Sequence, residues 1–368
     1  MAGSTLGNLF RISTWGESHG AALGVVIDGC PSGLLLCEQD IQDYLDRRKP
    51  GKTKIATPRK EDDTVEILSG VFEGRTTGTP ISLLVRNQTQ RSKDYSNIAD
   101  SYRPGHADYT FDAKYGFRDY RGGGRSSGRE TIGRVAAGAV ALKLLHSLGI
   151  QITAYTKSIG PVEIDPDRFN PDLIKATPTC MPDAVASKKA ENYLEECMKQ
   201  YDSCGGVIEC VITDLPAGLG EPVFDKLDAN LSKAVLSIGG VKAFEIGDGF
   251  KASLLKGSEN NDSFYYRDNR VAKSTNHAGG TLGGISDGDH VIFRAHFKPT
   301  PSIFQAQNTV DKNGNEIEIK IEGRHDPIIV PRAVVVVEAM AALAITDLLL
   351  MNMSAKMDSV TNFYHSKS

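Results

Sequence analysis

The sequence lacks a strong excess of charge of either sign, because 42 lysines and arginines oppose 46 aspartates and glutamates in 368 residues. A net charge of -4 and an isoelectric point near 6.1 argue against a dedicated nucleic-acid-binding protein, whose binding face is basic throughout. No uninterrupted apolar run reaches the length of a transmembrane helix. We therefore expect a cytoplasmic protein that binds no nucleic acid and carries no membrane anchor.

Several sequence signatures are also absent. The six cysteines form no C-x-x-C pair and lie in no histidine-rich stretch, so neither a zinc site nor a redox pair is indicated, and a reducing compartment is favoured. Neither G-x-G-x-x-G after the first strand nor the P-loop pattern occurs, which removes the usual dinucleotide and P-loop interpretations. The missing G-x-S-x-G turn disfavours a Ser/His/Asp hydrolase.

The sequence does contain a cluster of arginines between residues 118 and 134. Glycines and serines separate them, and a predicted helix follows. Arginine forks match phosphate and carboxylate groups, glycines let backbone N–H groups approach closely, and a helix N-terminus adds partial positive charge. The segment therefore predicts a phosphorylated substrate or cofactor. The arginines are Arg118, Arg121, Arg125, Arg129 and Arg134.

Hydrophobic periodicity predicts both strands and helices. Strands are expected at residues 23–28, 64–68, 81–85, 151–155, 207–212 and 290–296, and helices at residues 38–48, 130–148, 223–237 and 332–351. The second and fourth helices are apolar almost all round, which is typical of helices buried on several sides. The similar segments VIDGCPSGL at 26–34 and VITDLPAGL at 211–219 indicate two β/α halves, about 1–160 and 200–368. Chance similarity between β/α segments is the alternative.

Three loops carry candidate acid–base groups. Ser18 and His19 lie between glycines, and His106 lies in RPGHAD at residues 103–108. Histidines beside arginines favour proton transfer, although a solvated loop histidine is the simpler interpretation of each alone. Asp326 precedes the last long helix, where a carboxylate is either an N-cap or a base. The run RRKPGKTK at residues 47–54 is either a solvated helix end or a second anion clamp.

Five segments together closely resemble the chorismate synthase family, in the same order and across essentially the whole chain. They are GESHG at 16–20, RPGHAD at 103–108, GRSSGRET at 124–131, NHAGG at 276–280 and GRHDP at 323–327. The resemblance implies conversion of 5-enolpyruvylshikimate 3-phosphate to chorismate and phosphate, a 1,4-anti elimination that requires reduced FMN without net redox change. This substrate carries a phosphate and two carboxylates, which agrees with the arginine-rich segments.

The resemblance also implies roles for individual residues. His19 would protonate the leaving phosphate, His106 would protonate the reduced flavin, and Asp326 would act with the flavin N5 in removing the C6 hydrogen. Ser18 and Ser127 would support this proton network. The implied substrate set is Arg48, Lys54, Arg103, Arg129 and Arg324, with a nicotinamide nucleotide such as NADP as the alternative ligand of Arg48 and Lys54. The implied FMN set is Arg125, Ser126, Ser127, Gly239, Gly240, Gly283, Lys298, Pro299, Thr300, Pro301, Ser302 and Arg324.

Two positions depart from the pattern of this family. Many members have Asn-Ala where this chain has Gly239 and Gly240, so only backbone contacts with FMN are expected there. Gly128 stands where another small residue is common, and it is expected to loosen the loop slightly. Both departures leave the arginines, histidines and aspartate of the five segments unchanged.

The implied fold is α+β: a β-α-β sandwich with long central helices between antiparallel sheets, an internal pseudo-repeat and a single domain over residues 1–368. The resemblance also implies a homotetramer that depends on externally reduced FMN, because no added reductase segment is recognisable. Two alternatives stay open. One is a phosphomonoester hydrolase that uses the same arginines with His19 as its acid, and the other is a non-enzymatic module that binds anions or RNA.

Overall fold

A computed structural model describes residues 3–49, 62–87, 99–267, 269–320 and 326–365. Helices and antiparallel sheets both occur in these residues, which confirms the predicted α+β class. The α-helices are α1 (Glu38–Arg48), α2 (Asp108–Tyr115), α3 (Thr131–Ser147), α4 (Leu173–Ala176), α5 (Ala184–Lys199), α6 (Leu227–Leu236), α7 (Gly257–Asn260), α8 (Val330–Asn352) and α9 (Met357–His365).

The described strands pair antiparallel throughout. They are β1 (Thr5–Leu6), β2 (Arg11–Gly16), β3 (Ala22–Asp28), β4 (Val65–Ser69), β5 (Val71–Phe72), β6 (Arg75–Thr76), β7 (Ile81–Arg86), β8 (Gln151–Ile159), β9 (Val162–Glu163), β10 (Gly206–Thr213), β11 (Val241–Ile246), β12 (Phe264–Arg267), β13 (Arg270–Lys273), β14 (Thr281–Leu282), β15 (Ile285–Ser286), β16 (Val291–Phe297), β17 (Ala306–Val310) and β18 (Glu316–Lys320). Sheet one has the order β1-β2-β3-β7-β4, and sheet two has the order β11-β16-β10-β8-β9. The other strands form two-stranded ladders.

Strand β16 shows why these residues form a sheet with one buried face. Phe293 and Ala295 are buried, whereas the alternate residues Ile292 and Arg294 are half-buried. This period of two places every second side chain in the core. In the register, Phe293 lies opposite Cys210 on β10, another fully buried side chain. All six strands expected from the sequence are present, with ends that differ by a few residues.

Helices α3 and α8 form the apolar centre of the molecule. Helix α3 packs against β2 and β3 of sheet one, α8 packs against β8 and β10 of sheet two, and the two helices pack against each other. Gly138 permits this close helix contact, because a Cβ at that position would lie 2.3 Å from the Cβ of Ala339. Burial on several sides therefore explains the apolar composition of both helices.

Among the residues that the structure describes, α8 is the one helix long and apolar enough to cross a membrane by length and composition. Glu338 and Asp347 interrupt its apolar sequence, and 83% of its most apolar window is buried inside the protein. Asp347 accepts hydrogen bonds from the backbone N–H groups of Leu9 (2.7 Å) and Phe10 (3.0 Å). This buried carboxylate therefore has partners and fixes the N-terminal turn to the core helix.

Two helical regions differ from the sequence expectation. Helix α5 lies between the two halves that the sequence indicates, about 1–160 and 200–368, where no helix was predicted. Its buried residues Ala186, Ala190 and Leu194 recur at helical spacing, but two of the three are alanines, whose small side chains give a faint apolar signal. Helix α6 begins at Leu227, four residues later than the sequence predicted, and the backbone of Lys226 before it is not helical.

Candidate active site

The turn between β2 and β3 carries Ser18 and His19. The Oγ of Ser18 lies 3.2 Å from Nδ1 of His19. Gly122 faces the imidazole so closely that a Cβ at this position would lie 2.6 Å from the same nitrogen. Asn87 Nδ2 donates a hydrogen bond of 2.8 Å to the carbonyl of Gly20. These contacts fix the histidine-bearing turn against the glycine-rich loop and the end of β7.

His106 lies in the turn before α2, where its Nδ1 has neighbours of both charges. Asp108 Oδ1 is 3.3 Å away, and Arg103 Nη2 is 3.1 Å away. Arg103 donates two hydrogen bonds of 2.7 Å to Asp108 and one of 3.0 Å to the carbonyl of Gly122. Burial raises the pKa of Asp108, but the hydrogen bonds of Arg103 and His106 outweigh burial and hold this pKa well below its ordinary value. Asp108 is therefore a carboxylate that orients both partners, and Arg103 joins their turn to the loop facing His19.

Arg48 and Arg129 share one buried carboxylate, that of Asp63. Arg48 Nη2 donates to Oδ2, and Arg129 Nη2 lies 2.9 Å from Oδ1. Burial raises the pKa of Asp63, but the two guanidinium groups lower it below its ordinary value. Arg48 is only 2% exposed, and within the described residues its Nε has no hydrogen-bond partner. Arg129 Nε donates a hydrogen bond of 2.6 Å to Asn87 Oδ1, which connects this cluster to the turn of His19.

The loop after β16 contacts segments from both halves of the chain. Lys298 Nζ donates a hydrogen bond of 2.7 Å to the carbonyl of Gly105, in the turn before α2. Thr300 Oγ1 donates to the backbone carbonyl of Asp326 at 2.9 Å. The backbone N–H of Lys298 donates to the carbonyl of Gly240 at 2.9 Å. This loop therefore joins three segments that the family resemblance placed in one site.

Arg332, in the first turn of α8, completes a closed path of contacts. Its Nη1 pairs with Asp326 Oδ2, and its Nε donates to the carbonyl of Arg48 at 3.1 Å. We call the residues on this path the site ring. Cations outnumber carboxylates within it, so net positive charge remains for an anionic ligand. The site ring contains His19, Gly122, Arg103, His106, Gly105, Lys298, Thr300, Asp326, Arg332, Arg48, Asp63, Arg129 and Asn87.

The predicted flavin loop at residues 125–127 adjoins the site ring. Arg125 donates to Thr14 Oγ1 (2.7 Å) and to the carbonyl of Gly16 (3.1 Å), so its guanidinium holds the loop to β2. Ser126 Oγ donates to a backbone carbonyl of the same loop at 2.6 Å. Ser127 Oγ accepts from the backbone N–H of residue 129 at 3.3 Å. The side chains of this loop therefore shape its backbone.

Among the predicted site residues, Gly283 lies apart from the others, and two fall where the structure gives no description. Lys54 and Arg324 lie outside the described residues. Gly283 lies in the turn of the β14–β15 ladder, next to Gly284, whose carbonyl accepts from the first residue of α6. Gly240 follows the other end of this ten-residue helix, about 15 Å away at 1.5 Å per residue. A ligand that contacts both glycines must therefore extend along α6.

The predicted FMN site has two features that suit a ligand. Parts of its backbone are uncrowded, and its lysines have no acidic partners among the described residues. A Cβ at Gly239 or Gly283 would meet no atom within 4 Å, so the backbone at these positions is open to a ligand. Lys298 and its neighbour Lys242 form no ion pair with the carboxylates that the structure describes. Burial and the charge of Lys242 lower the pKa of Lys298. This donor set fits a ligand that carries a flat ring and a phosphate.

A cavity of about 250 Å³ lies beside the same loop. Phe111, Tyr115 and Phe117 form an aromatic wall from α2 and the residues after it. The glycine-rich stretch at residues 122–126 also lines the cavity. The cavity therefore shares one wall with the predicted flavin loop, and the remaining lining residues are Glu17, Ala107, Asp108, Arg118 and Asp119.

Sequence reasoning missed four residues that organise this site: Asp63, Asn87, Arg332 and Lys242. Asp63 is one of two adjacent aspartates in a charged stretch, and Arg332 stands at the start of an apolar helix. Neither position has a local pattern that indicates its partner. Asn87 directly follows β7, and a polar residue at a strand end was the one available signal.

The fold and the site ring define an α+β protein whose site combines excess positive charge with two histidines and an aspartate. A family model described as chorismate synthase matches residues 10–350. The chain belongs to the chorismate synthase family, whose members are lyases. The resemblance carried by the five sequence segments is therefore confirmed.

Individual relatives agree with the family match. A chorismate synthase from Agathobacter rectalis is 66% identical over 364 residues, which covers 99% of each chain. Another from Lachnoclostridium phytofermentans is 65% identical over 365 residues, which covers 99% of this chain and 100% of the relative. A crystal structure of chorismate synthase matches with a TM-score of 0.77 at 31% identity and covers 98% of both chains. The likeness therefore extends over the whole fold.

Proposed function

We propose that the protein catalyses the 1,4-anti elimination of phosphate from 5-enolpyruvylshikimate 3-phosphate to give chorismate, with reduced FMN and no net redox change. The observation that carries this proposal is the site ring, which contains two histidines and an aspartate together with several arginines. The chain that forms it is a member of the chorismate synthase family. The phosphate and two carboxylates of this substrate match the excess positive charge of the site ring.

Arg48 and Arg129 are proposed to bind the substrate anions. Asp63 orients both guanidinium groups before the ligand arrives, and the unpartnered Nε of Arg48 is a donor that a ligand oxygen can satisfy. Because Arg48 lies within the site ring, we favour the substrate over a nicotinamide nucleotide as its ligand. Arg103 contributes its charge while it holds His106, and Lys54 and Arg324 complete the proposed set by family resemblance.

His19 is proposed to donate a proton to the departing phosphate. As the C3–O bond breaks, charge accumulates on the phosphate oxygen, and a positioned imidazolium neutralises it. Ser18 supports His19 through the contact between Oγ and Nδ1, and Gly122 leaves room for the ring. The electron pair of the breaking C6–H bond forms a C1–C6 double bond, the existing C1–C2 double bond shifts to C2–C3 as the C3–O pair leaves with phosphate, and the proton goes to a base.

Asp326 is proposed to take part in removing the C6 hydrogen, and His106 is proposed to hold a proton beside the flavin. Bound reduced FMN would supply electron density transiently as the phosphate departs and recover it as the C6 hydrogen is lost. Asp108 keeps the imidazole of His106 oriented through Nδ1, and Ser127 supports the proton network through the loop that it caps.

The flavin site is proposed to comprise the 125–127 loop, Gly239, Gly240, Gly283, the loop at residues 298–302 and Arg324. Lys298 would face the FMN phosphate, because it has no acidic partner within the described residues. Pro299, Thr300, Pro301 and Ser302 fix the shape of this loop, and a Cβ at Gly105 would lie 3.1 Å from Pro301. The loop therefore lies directly against the turn of His106.

We also infer the larger organisation from the family. The molecule would be a β-α-β sandwich of two pseudo-repeated halves in one domain, supported by the packing of α3 on sheet one and α8 on sheet two. It would act in the cytoplasm as a homotetramer and receive reduced FMN from an external source.

The decisive experiment is an anaerobic assay of 5-enolpyruvylshikimate 3-phosphate with reduced FMN, oxidised FMN or no flavin. We expect equal amounts of chorismate and phosphate, and only with reduced FMN. Phosphate release without flavin and without chorismate would identify a phosphomonoester hydrolase and refute the proposal. Binding of the substrate without turnover in any arm would favour a non-enzymatic anion-binding module.

A further inference from the structure

Arg332 contacts Asp326 although it belongs to none of the five segments that carry the family resemblance. Its Nη1 pairs with Asp326 Oδ2, and its Nε donates to the carbonyl of Arg48 at 3.1 Å. The Asp326 side chain is 12% exposed and that of Arg332 is 25% exposed, so the pair is shielded from bulk water. One planar guanidinium therefore bridges the proposed base and the substrate-binding cluster.

The backbone around Asp326 is fixed independently of Arg332. Thr300 Oγ1 donates to the carbonyl of Asp326 at 2.9 Å, and the N–H of Cys204 donates to the carbonyl of Pro327 at 3.0 Å. With both peptide groups held, the direction of the Asp326 carboxylate depends on the contacts of its side chain, of which the pair with Arg332 is one. The guanidinium of Arg332 restricts that rotation because it binds one particular carboxylate oxygen.

The position of Arg332 is unfavourable for its own helix. It lies in the first turn of α8, where the helix dipole disfavours a cation. It also lies near other cations: burial lowers the pKa of Arg48, and the charges of Arg332 and Arg129 lower it further against the effect of Asp63. Asp326 and the Arg48 carbonyl compensate these costs, which indicates that Arg332 serves the site rather than the helix.

We propose that Arg332 is a positioning residue for the reaction. It sets the direction of the Asp326 carboxylate relative to the Arg48–Asp63–Arg129 cluster, so that Asp326 reaches the C6 hydrogen of a substrate held by that cluster. Arg332 acts through Asp326 and does not bind the substrate itself. This inference rests on the function proposed above.

A double-mutant cycle in the full-length protein with reduced FMN tests the proposal. The variants are Arg332→Gln, Asp326→Asn and the combination, with Arg332→Lys as a variant that keeps the charge. Arg294→Gln is the matched control, because Arg294 also pairs with one carboxylate (Glu209, 2.6 Å) and one backbone carbonyl (Gly247, 2.7 Å) at 21% exposure. Steady-state kcat and KM, flavin affinity by fluorescence quenching and thermal stability are measured for each.

Misplacement of a reacting group by about 1 Å costs about 100-fold in rate, so we expect Arg332→Gln to lower kcat by about 10- to 100-fold. Substrate KM and flavin affinity should change less than about threefold, and Arg332→Lys should recover part of kcat because it restores the charge without the fork. In the Asp326→Asn background, adding Arg332→Gln should lower kcat by less than a further factor of about two. The effects of residues that act as a unit are not additive. Arg294→Gln should leave kcat unchanged.

Each of the following results would overturn the inference. Additive losses in the double variant would show that Arg332 acts independently of Asp326, and a loss confined to KM would show direct substrate binding. Full activity of Arg332→Gln beside an impaired Asp326→Asn variant would remove the positioning role while leaving the proposed function intact. Full activity of Asp326→Asn would instead refute the role proposed for Asp326. If Arg332→Gln loses thermal stability, the comparison is made with Arg332→Lys, whose unchanged kcat would equally contradict the proposal.

Discussion

At the scale of single residues, Asp108 shows how the site keeps buried charges in fixed positions. It is 5% exposed, and its carboxylate contacts Arg103, Arg118 and His106 at once. A buried charge is tolerated when partners of opposite charge surround it with good geometry. Removal of this carboxylate would leave Arg103 without a carboxylate partner and Arg118 with Asp112 as its remaining one (3.1 Å) among the residues that the structure describes.

We predict that Asp108→Asn lowers the free energy of unfolding by about 3 kcal/mol at neutral pH. The folded-state pKa of Asp108 is depressed, so its stabilisation is present above its unfolded pKa of about 3.9 and is lost as pH falls further toward the folded value. The difference between wild type and variant should therefore shrink below about pH 4 in urea titrations. Asp28→Asn, at a 54% exposed side chain, is the control. A difference that stays constant down to pH 2 would contradict the assignment.

Gly122 is the residue that most closely limits His19. Its φ of +74° lies in the left-handed region, and a Cβ would approach the imidazole to 2.6 Å. We predict that Gly122→Ala lowers kcat by about 10-fold or more because His19 and Ser18 must move. Gly116→Ala is the control, since its φ is +71° but a Cβ there meets nothing within 4 Å. Equal activity of the two variants would show that the contact with His19 is unimportant.

At the scale of structural elements, a bulge in β11 changes the direction of one lysine. The register of β11 against β16 shifts between Val241 and Ala243, so Lys242 is the extra residue of the pair. Bulges re-aim side chains, and this one leaves Lys242 close enough to Lys298 for its charge to lower the pKa of Lys298. The strand irregularity therefore adds a second cation beside the proposed FMN phosphate.

We predict that Lys242→Ala weakens FMN binding by about tenfold, because a charge-assisted contact of about 1.4 kcal/mol is lost. The remaining affinity should depend less on salt concentration than that of the wild type. Flavin fluorescence quenching at two ionic strengths measures both quantities, with Lys251→Ala at an exposed lysine as the control. An unchanged dissociation constant at low salt would exclude Lys242 from the phosphate site.

At the scale of the whole molecule, the β12–β13 hairpin is exposed to an unusual degree. Phe264, Tyr266 and Val271 are 61%, 71% and 67% exposed in the single chain. A two-stranded hairpin is marginally stable by itself, and clustered exposed apolar side chains are typical of interaction surfaces. This exposure supports the proposed homotetramer.

We predict a native mass of about four times the 39.7 kDa of the chain. Tyr266→Asp should shift the population toward smaller species, because burial of a charge in an apolar interface is unfavourable. Native mass spectrometry and analytical ultracentrifugation at micromolar concentration measure this distribution. A monomeric wild-type protein under these conditions would contradict the predicted assembly.

The helices and strands with strong local signals could be predicted from the sequence. The apolar helices α3 and α8 and all six expected strands lie where periodicity placed them, whereas α5 was missed because its buried stripe contains small residues. The site segments were found because arginines, glycines and histidines cluster locally. Their partners were not: Asp63 meets Arg129 and Arg332 meets Arg48 through contacts between residues far apart in the chain, and no sequence pattern indicates the shorter-range pair of Arg332 and Asp326.

The sequence by itself determined the family and predicted an anionic ligand and a set of acid–base residues, since residue type and spacing are local properties. Only the tertiary structure decided which carboxylate orients which cation. Asp108 holds Arg103 and His106, Asp63 holds Arg48 and Arg129, and Arg332 holds Asp326. Such pairings depend on burial and on distances of about 3 Å, which are fixed when the two sheets pack around α3 and α8.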